Sequence, residues 1–174
     1  MSHRSLLPWC ALLLGWSGRA HAQVRDSIAP ACATPAHRAL DFWVGQWRVE
    51  SGGQEVGRNV IRRAQAGCLI TEEWRAANGQ GGQSMNFFSP TTGSWHQVWV
   101  DDGGTVLQLR GTAQAGAMVY RGETRTARGH FVHRLALRQQ EDGSVRQLWE
   151  SWPAADTSDA ARRVAFDGIY RRVP

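Results

Sequence analysis

The stretch Pro90-Thr91-Thr92-Gly93-Ser94-Trp95-His96-Gln97-Val98-Trp99-Val100-Asp101-Asp102-Gly103-Gly104 contains a turn signal, a run of alternating side chains and a second turn signal. Side chains of a strand alternate between its faces, so Trp95, Gln97 and Trp99 share one side and His96, Val98 and Val100 the other. The same unit recurs at Gly143-Ser144-Val145-Arg146-Gln147-Leu148-Trp149, matching as Gly-Ser-x-x-Gln-aliphatic-Trp. In this second copy Arg146 and Glu150 fall on one face, and two charges on alternate positions direct that face to water. Val145, Gln147 and Trp149 therefore point inward, and by the same phase so do Trp95, Gln97 and Trp99.

Outward from this stretch the pattern repeats. Turn signals at Ser51-Gly52-Gly53, Asn78-Gly79, Pro90 to Gly93, Asp102-Gly103-Gly104, Asp142-Gly143 and Pro153 to Asp159 come every ten or so residues, the spacing of an all-β sandwich or barrel. They predict strands over 45–51, 56–66, 68–76, 83–89, 95–101, 105–113, 117–125, 129–139, 144–151 and 163–172. The one predicted helix is a turn or two within His37 to Trp43. A row of short hairpin-linked strands has two unprotected edges unless it closes, so the expected fold is a single antiparallel up-and-down barrel of about ten strands.

The phase of the other strands follows the same logic. Arg134 and Arg138 set the outer face of one strand, which sends Phe131, His133, Leu135 and Leu137 inward. Cys68, Ile70, Glu72 and Trp74 are preferred as an inward face because they include the larger apolar residues; the other face is Leu69, Thr71, Glu73 and Arg75. Ser84, Asn86 and Phe88 are preferred in the next strand, with Met85 and Phe87 the close alternative. The expected interior mixes Trp74, Phe88, Trp99 and Trp149 with Glu72, Asn86, Gln97, His133 and Gln147. Each buried polar group left unpaired costs ~1–3 kcal/mol, so a pure packing core has no use for five of them. Two readings account for them. Either they line a pocket, with a few polar groups converging between apolar walls, or they satisfy one another in an internal network. The pocket reading makes Glu72, Trp74, Asn86, Gln97, Trp99, His133, Gln147 and Trp149 the candidate ligand-binding residues.

The amino terminus reads as an export signal: a short basic start through Arg4, an apolar leucine-rich run from Ser5 to Trp16, and the small-x-small triplet Ala20-His21-Ala22. The expected division is a signal peptide over 1–22, an irregular leader over 23–36 and one barrel domain over 37–174, located in the periplasm or secreted. The apolar run is short of the ~20 residues a spanning helix needs, so no membrane span is expected. Of 174 residues roughly 150 remain after cleavage, enough for one self-sufficient core.

The formal charge of the whole chain is +5, every Lys or Arg position is arginine, and cleavage of the expected signal peptide removes two of them, Arg4 and Arg19. Arg62-Arg63, Arg162-Arg163 and Arg171-Arg172 lie on separate segments and form no stripe, which argues against a nucleic-acid partner. Three cysteines become two on maturation, Cys32 and Cys68. In an oxidising compartment a disulfide is the preferred reading, and two separate thiols the alternative. No Cys-x-x-Cys or Cys/His cluster suggests a metal, and no oligomeric state is set.

The segment Phe42-Trp43-Val44-Gly45-Gln46-Trp47, with its Gly-x-Trp at the start of the first strand, resembles the calycin superfamily of lipocalins and their relatives. That resemblance implies that a late arginine, Arg171 or Arg172, covers Trp47 and closes the barrel floor. The blocks His37-Arg38 to Trp47, Gly67-Cys68-Leu69-Ile70-Thr71-Glu72-Glu73-Trp74, Ser84-Met85-Asn86-Phe87-Phe88, Gly93 to Asp101 and Phe166-Asp167-Gly168-Ile169-Tyr170 resemble a family of small secreted bacterial barrel proteins. This likeness implies fold and export and no particular activity.

The leading functional expectation is an exported, non-catalytic barrel that binds a small amphipathic or aromatic molecule and needs no cofactor. One alternative is haem binding, because Phe42 to Trp47 also resembles the opening of the nitrobindin family of ten-stranded barrels; His133 would then be the axial ligand. That family keeps its ligating histidine near the C-terminus, whereas here two strands follow the last histidine. The other alternative is an enzyme using Glu72 and His133 as acid and base, although no nucleophile, metal-protease or phosphate-loop motif is present. Export carries its own test: sequencing the secreted protein from its amino terminus is expected to read from Gln23 or within a residue or two of it, and retention of Met1 would overturn the localisation.

Overall fold

In the computed structural model, residues 31–156 and 158–173 are described; the expected signal peptide, its expected cleavage site and residues 23–30 of the expected leader lie outside them. Short helix α1 (Pro35–Arg38) and a 3-10 turn over Asp41–Trp43 precede ten strands: β1 (Gly45–Ser51), β2 (Gln54–Ala64), β3 (Leu69–Ala76), β4 (Gly81–Ser89), β5 (Ser94–Asp101), β6 (Val106–Gln114), β7 (Ala117–Thr126), β8 (Gly129–Gln139), β9 (Val145–Pro153) and β10 (Arg163–Arg172). Each strand pairs antiparallel with its sequence neighbour, and β1 pairs with β10, so the sheet closes into a barrel. The predicted strands are all present, with ends shifted by a residue or two.

The predicted helix is split. Leu40 leaves helical geometry between α1 and the 3-10 turn, and the break lets both Leu40 and Trp43 turn inward, where each is almost wholly buried. They plug one end of the barrel together with Trp47, whose indole N–H donates to the Trp43 carbonyl at 2.8 Å. Trp95 reaches the same plug, donating to the Ala36 carbonyl at 3.0 Å. The ring of His37 meets Phe88 edge-on at 5.1 Å.

The covering arginine is Arg172: its guanidinium carbon sits 4.4 Å from the centre of the Trp47 ring, and it donates to the Val44 carbonyl at 3.0 Å. A stack of this kind is worth ~0.5–2 kcal/mol, the more so when desolvated. Gly45 is required here, since it has φ +151° and a side chain at this position would run into the Arg172 guanidinium. The glycine, tryptophan and arginine therefore work as one structural unit.

The expected faces hold. Ser84 and Asn86 are buried while Met85 and Phe87 are exposed, and Phe87 stacks on His96 outside the wall, with 5.3 Å between ring centres. Arg134 pairs with Glu150 at 2.9 Å, and Arg146 grips Asp167 with two bonds of 2.8 and 2.7 Å. Both pairs bridge neighbouring strands of the outer surface. Arg134 and Arg146 are thus tied to carboxylates along the wall.

Cys32 and Cys68 form a disulfide, with Cα atoms 5.0 Å apart. It fastens the segment leading into α1 to the turn between β2 and β3. A crosslink across 36 residues restricts the unfolded chain and stabilises small domains by about 2–4 kcal/mol. Replacing both cysteines by serine should lower the urea-unfolding free energy by that amount, and intact-mass analysis after non-reducing alkylation of protein that starts at Gln23 should find no free thiol.

Candidate functional site

The closed end is occupied by the plug, so a site within the lumen lies toward the end formed by the β1–β2, β3–β4, β5–β6, β7–β8 and β9–β10 connections. A cavity of about 180 Å³ opens there. Its aromatic walls are Trp74, Trp99, Trp149 and Phe166; Leu107, Leu135 and Ala165 add apolar surface, and Glu72, Gln97, Gln147 and Tyr170 supply the polar groups.

Three of the aromatic side chains lie along the wall because glycines leave them room. A side chain at Gly57 would collide with Trp74, one at Gly82 with Trp99, and one at Gly168 with Phe166. Trp74 and Trp99 each cover a glycine diagonally across the neighbouring strand, within the reach of a large side chain. Folded back in this way, the indoles line the lumen without filling it. Trp74 and Phe166 stand almost perpendicular, their ring centres 6.1 Å apart, so they form two sides of a box. A bulge between Val164 and Phe166 on β10 breaks the alternation. Consecutive residues Ala165 and Phe166 consequently both reach the cavity, as bulges allow.

Between the cavity and the apolar plug lies a belt of hydrogen bonds centred on Glu72. Asn59 donates to its Oε1 and the Ser84 hydroxyl to its Oε2, each at 2.6 Å. Asn86 donates to Ser84 Oγ at 2.8 Å, and Gln97 donates to Asn86 Oδ1 at 3.0 Å, an oxygen that also accepts from the Tyr120 hydroxyl at 3.1 Å. Every link from Gln97 onward donates toward the carboxylate, so the local dipoles line up in support of its negative form. Tyr170, close by, donates to Gln147 Oε1 at 2.7 Å. Among the described residues two groups at the cavity have no protein partner: the carbonyl oxygen of Gln97 and the amide nitrogen of Gln147.

Burial pushes the Glu72 carboxyl up to about 6, against the opposing pull of the Ser84 and Asn59 hydrogen bonds. The same burial, with the nearby Glu72 charge, holds the Tyr120 and Tyr170 hydroxyls well above their ordinary range and therefore neutral. No arginine contributes to the Glu72 shift or lines the cavity.

Of the eight expected site residues, Glu72, Trp74, Gln97, Trp99, Gln147 and Trp149 meet at the cavity. Asn86 lies behind Gln97, wholly buried in the belt. His133 lies behind Trp149: its Nδ1 accepts from the indole N–H at 3.2 Å and its Nε2 is 2.8 Å from the Thr124 hydroxyl. This arrangement requires the neutral ring, with its proton on Nε2, and burial favours that form by lowering the pKa. His133 and Glu72 are not joined by a hydrogen bond among the described residues.

Sequence reasoning missed Asn59, Tyr120, Phe166 and Tyr170. The signal for Asn59 was available, since Arg58 and Arg62 mark the outer phase of their strand and send Gly57, Asn59 and Ile61 inward. Phe166 was hidden by the bulge.

The fold and cavity together define a class of molecule: a closed ten-stranded antiparallel barrel, plugged at one end and holding an aromatic-walled cavity toward the other. Compared with known protein families and with curated protein sequences, the chain matches none.

A carboxyl raised on folding destabilises the protein when it is ionised. The free forms of Glu72 differ little below the unfolded value of 4.5, and the cost develops as pH rises from 4.5 to about 6. It then persists at neutral pH, at about 2 kcal/mol. Glu72→Gln should therefore melt close to the parent protein near pH 4.5 and gain on it progressively up to pH 6.5, as followed by circular dichroism.

Proposed function

We propose that this chain is an exported, non-catalytic binding protein whose barrel holds one small amphipathic molecule, its apolar part against Trp74, Trp99 and Trp149 and its polar part against Gln97 and Gln147. The observation that carries this reading is the pairing of an open aromatic-walled cavity with two polar atoms that lack a protein partner. A polar network that served packing alone would consume its own donors and acceptors, because unpaired ones are costly. Here the chain from Gln97 through Asn86 and Ser84 to Glu72 is paired link by link, and its free acceptor lies at the cavity end.

Size restricts the occupant. Sites for drug-sized ligands run to ~300–1,000 Å³, whereas a cavity of ~150 Å³ accommodates benzene; about 180 Å³ therefore suits a molecule of a few heavy atoms more. Haem is too large for it, and both nitrogens of His133 are engaged by Trp149 and Thr124. Acid and base chemistry by Glu72 with His133 is disfavoured because His133 lies behind Trp149 with both nitrogens engaged and does not line the cavity.

Export is supported by the leader pattern and by a disulfide that persists in an oxidising compartment. Among the described residues no helix is long and apolar enough to cross a membrane.

Gln97→Leu tests the binding reading. The leucine is similar in size, cannot accept a hydrogen bond from the ligand, and removes one of two donors to Asn86 Oδ1 while Tyr120 keeps the other. In a melting-temperature screen against small amines, amides and phenols at millimolar concentration, at least one compound should raise the melting point of the parent and do so much less for Gln97→Leu. A screen that never shifts the parent, together with a Gln97→Leu protein that melts far lower on its own, would mean that the polar interior is architecture.

A further inference from the structure

Glu72 and Gln97, two of the polar side chains that line the cavity, present negative ends to it, whereas Gln147 presents an amide donor. Glu72 contributes a carboxylate with no arginine near it. Gln97 contributes the carbonyl oxygen at the tail of the donor chain running through Asn86 and Ser84 to Glu72. Behind the cavity lining, Asn59 Oδ1 beside Glu72 is buried with no donor among the described residues, which adds to the negative potential around the carboxylate. A buried carboxylate ordinarily has a cationic partner, because an isolated charge in a medium of low dielectric is expensive. Among the described residues the barrel interior supplies none, since no arginine is buried and none contributes to the Glu72 shift.

The walls facing those acceptors are aromatic. Trp74, Trp99, Trp149 and Phe166 line the space, and the near-perpendicular Trp74 and Phe166 bound it with rings in two different planes. The face of an aromatic ring carries negative charge density and attracts a cation, and a box of such rings suits one whose charge is spread over methyl groups and which therefore needs no hydrogen bonds of its own. A compact ammonium such as that of lysine is strongly hydrated and loses more on entering such a box. The glycines at 57, 82 and 168, which keep three of these rings against the wall, preserve the opening between them.

We propose that the cavity is a site for a small methylated ammonium ion, of the quaternary class to which choline belongs, with Trp74, Trp99, Trp149 and Phe166 as its cage and Glu72 as its counter-charge. The inference rests on the binding reading above and specifies the ligand. Cavity size agrees: choline has one heavy atom more than benzene, for which ~150 Å³ suffices, and the cavity is about 180 Å³. The Gln147 amide is free to donate to a hydroxyl or carbonyl on the ligand's tail. Ligand and Glu72 charge are coupled, so binding should weaken as the carboxyl is protonated. The other titratable groups facing Glu72 are Tyr120 from β7 and Tyr170 from β10, both neutral well beyond neutral pH. His133 from β8 is neutral and held by Trp149 and Thr124.

The test is calorimetric titration of the mature, disulfide-intact protein with choline and with its carbon isostere, an uncharged molecule of the same shape in which a quaternary carbon replaces the nitrogen. Choline is expected to bind at least about tenfold more tightly than the isostere near pH 7.5, and to lose about tenfold in affinity near pH 5 as Glu72 takes up its proton. Glu72→Gln should erase the preference while retaining the far-ultraviolet circular dichroism of the parent. The pH series on the parent protein provides the same discrimination without any substitution. Equal binding of choline and isostere, or binding of neutral compounds from the melting screen with no binding of choline, would overturn the cationic ligand and leave the binding protein standing. Silence from choline, isostere and screen alike would overturn both.

Discussion

The seam between β1 and β10 is the contact on which the rest of the molecule depends. Antiparallel neighbours in sequence pair readily through tight hairpins, but these two strands stand at opposite ends of the chain and must find one register among several. That register places Trp47 opposite Arg172 and Val49 opposite Tyr170. It is fixed by the guanidinium stacked on the Trp47 ring, by the bond from Arg172 to the Val44 carbonyl, and by the space left at Gly45. A slip of one residue would turn every side chain of β10 to the opposite face. Tyr170 would leave the polar belt, and Phe166 would leave the cavity wall.

Given that closure, the lumen divides into three levels with different chemistry. At the bottom, Leu40, Trp43, Trp47 and Trp95 form an apolar plug whose burial supplies hydrophobic stabilisation. In the middle, Glu72 is held by hydrogen bonds in a chain of aligned dipoles that must be satisfied together, because partial satisfaction in a low dielectric is worse than none. At the top, the same chain ends in free polar atoms among aromatic walls. The middle level costs stability at neutral pH, and a polar arrangement that costs stability is more readily explained by a role at the adjoining cavity than by packing.

Much of the site was already legible in the linear pattern. The two Gly-Ser-x-x-Gln-aliphatic-Trp units placed Gln97, Trp99, Gln147 and Trp149 in one interior because outward charges at Arg146 and Glu150 fixed their phase, and that phase survives into the folded barrel. Glu72 and Trp74 followed from the larger apolar residues on their face. Asn86 and His133 were correctly directed inward, but alternation says only which face a side chain occupies. It does not give the height along the barrel axis or the rotamer, and these put Asn86 behind Gln97 and His133 behind Trp149.

The sequence by itself determined the all-β class, the number and order of strands, the closure, and the inward set on most strands. These depend on short-range period and turn chemistry, which are local properties of the chain. Tertiary structure decided which inward residues meet. The bulge at Ala165 brings two consecutive residues to the cavity. The glycines at 57, 82 and 168 let aromatic rings from neighbouring positions lie flat. Closure brings Tyr170 from the last strand beside Glu72 from the third. Tertiary structure also places cavity and hydrogen-bonded belt in one lumen at different levels: whether a buried acceptor finds a donor depends on distances between strands far apart in the chain, and no local pattern encodes those distances.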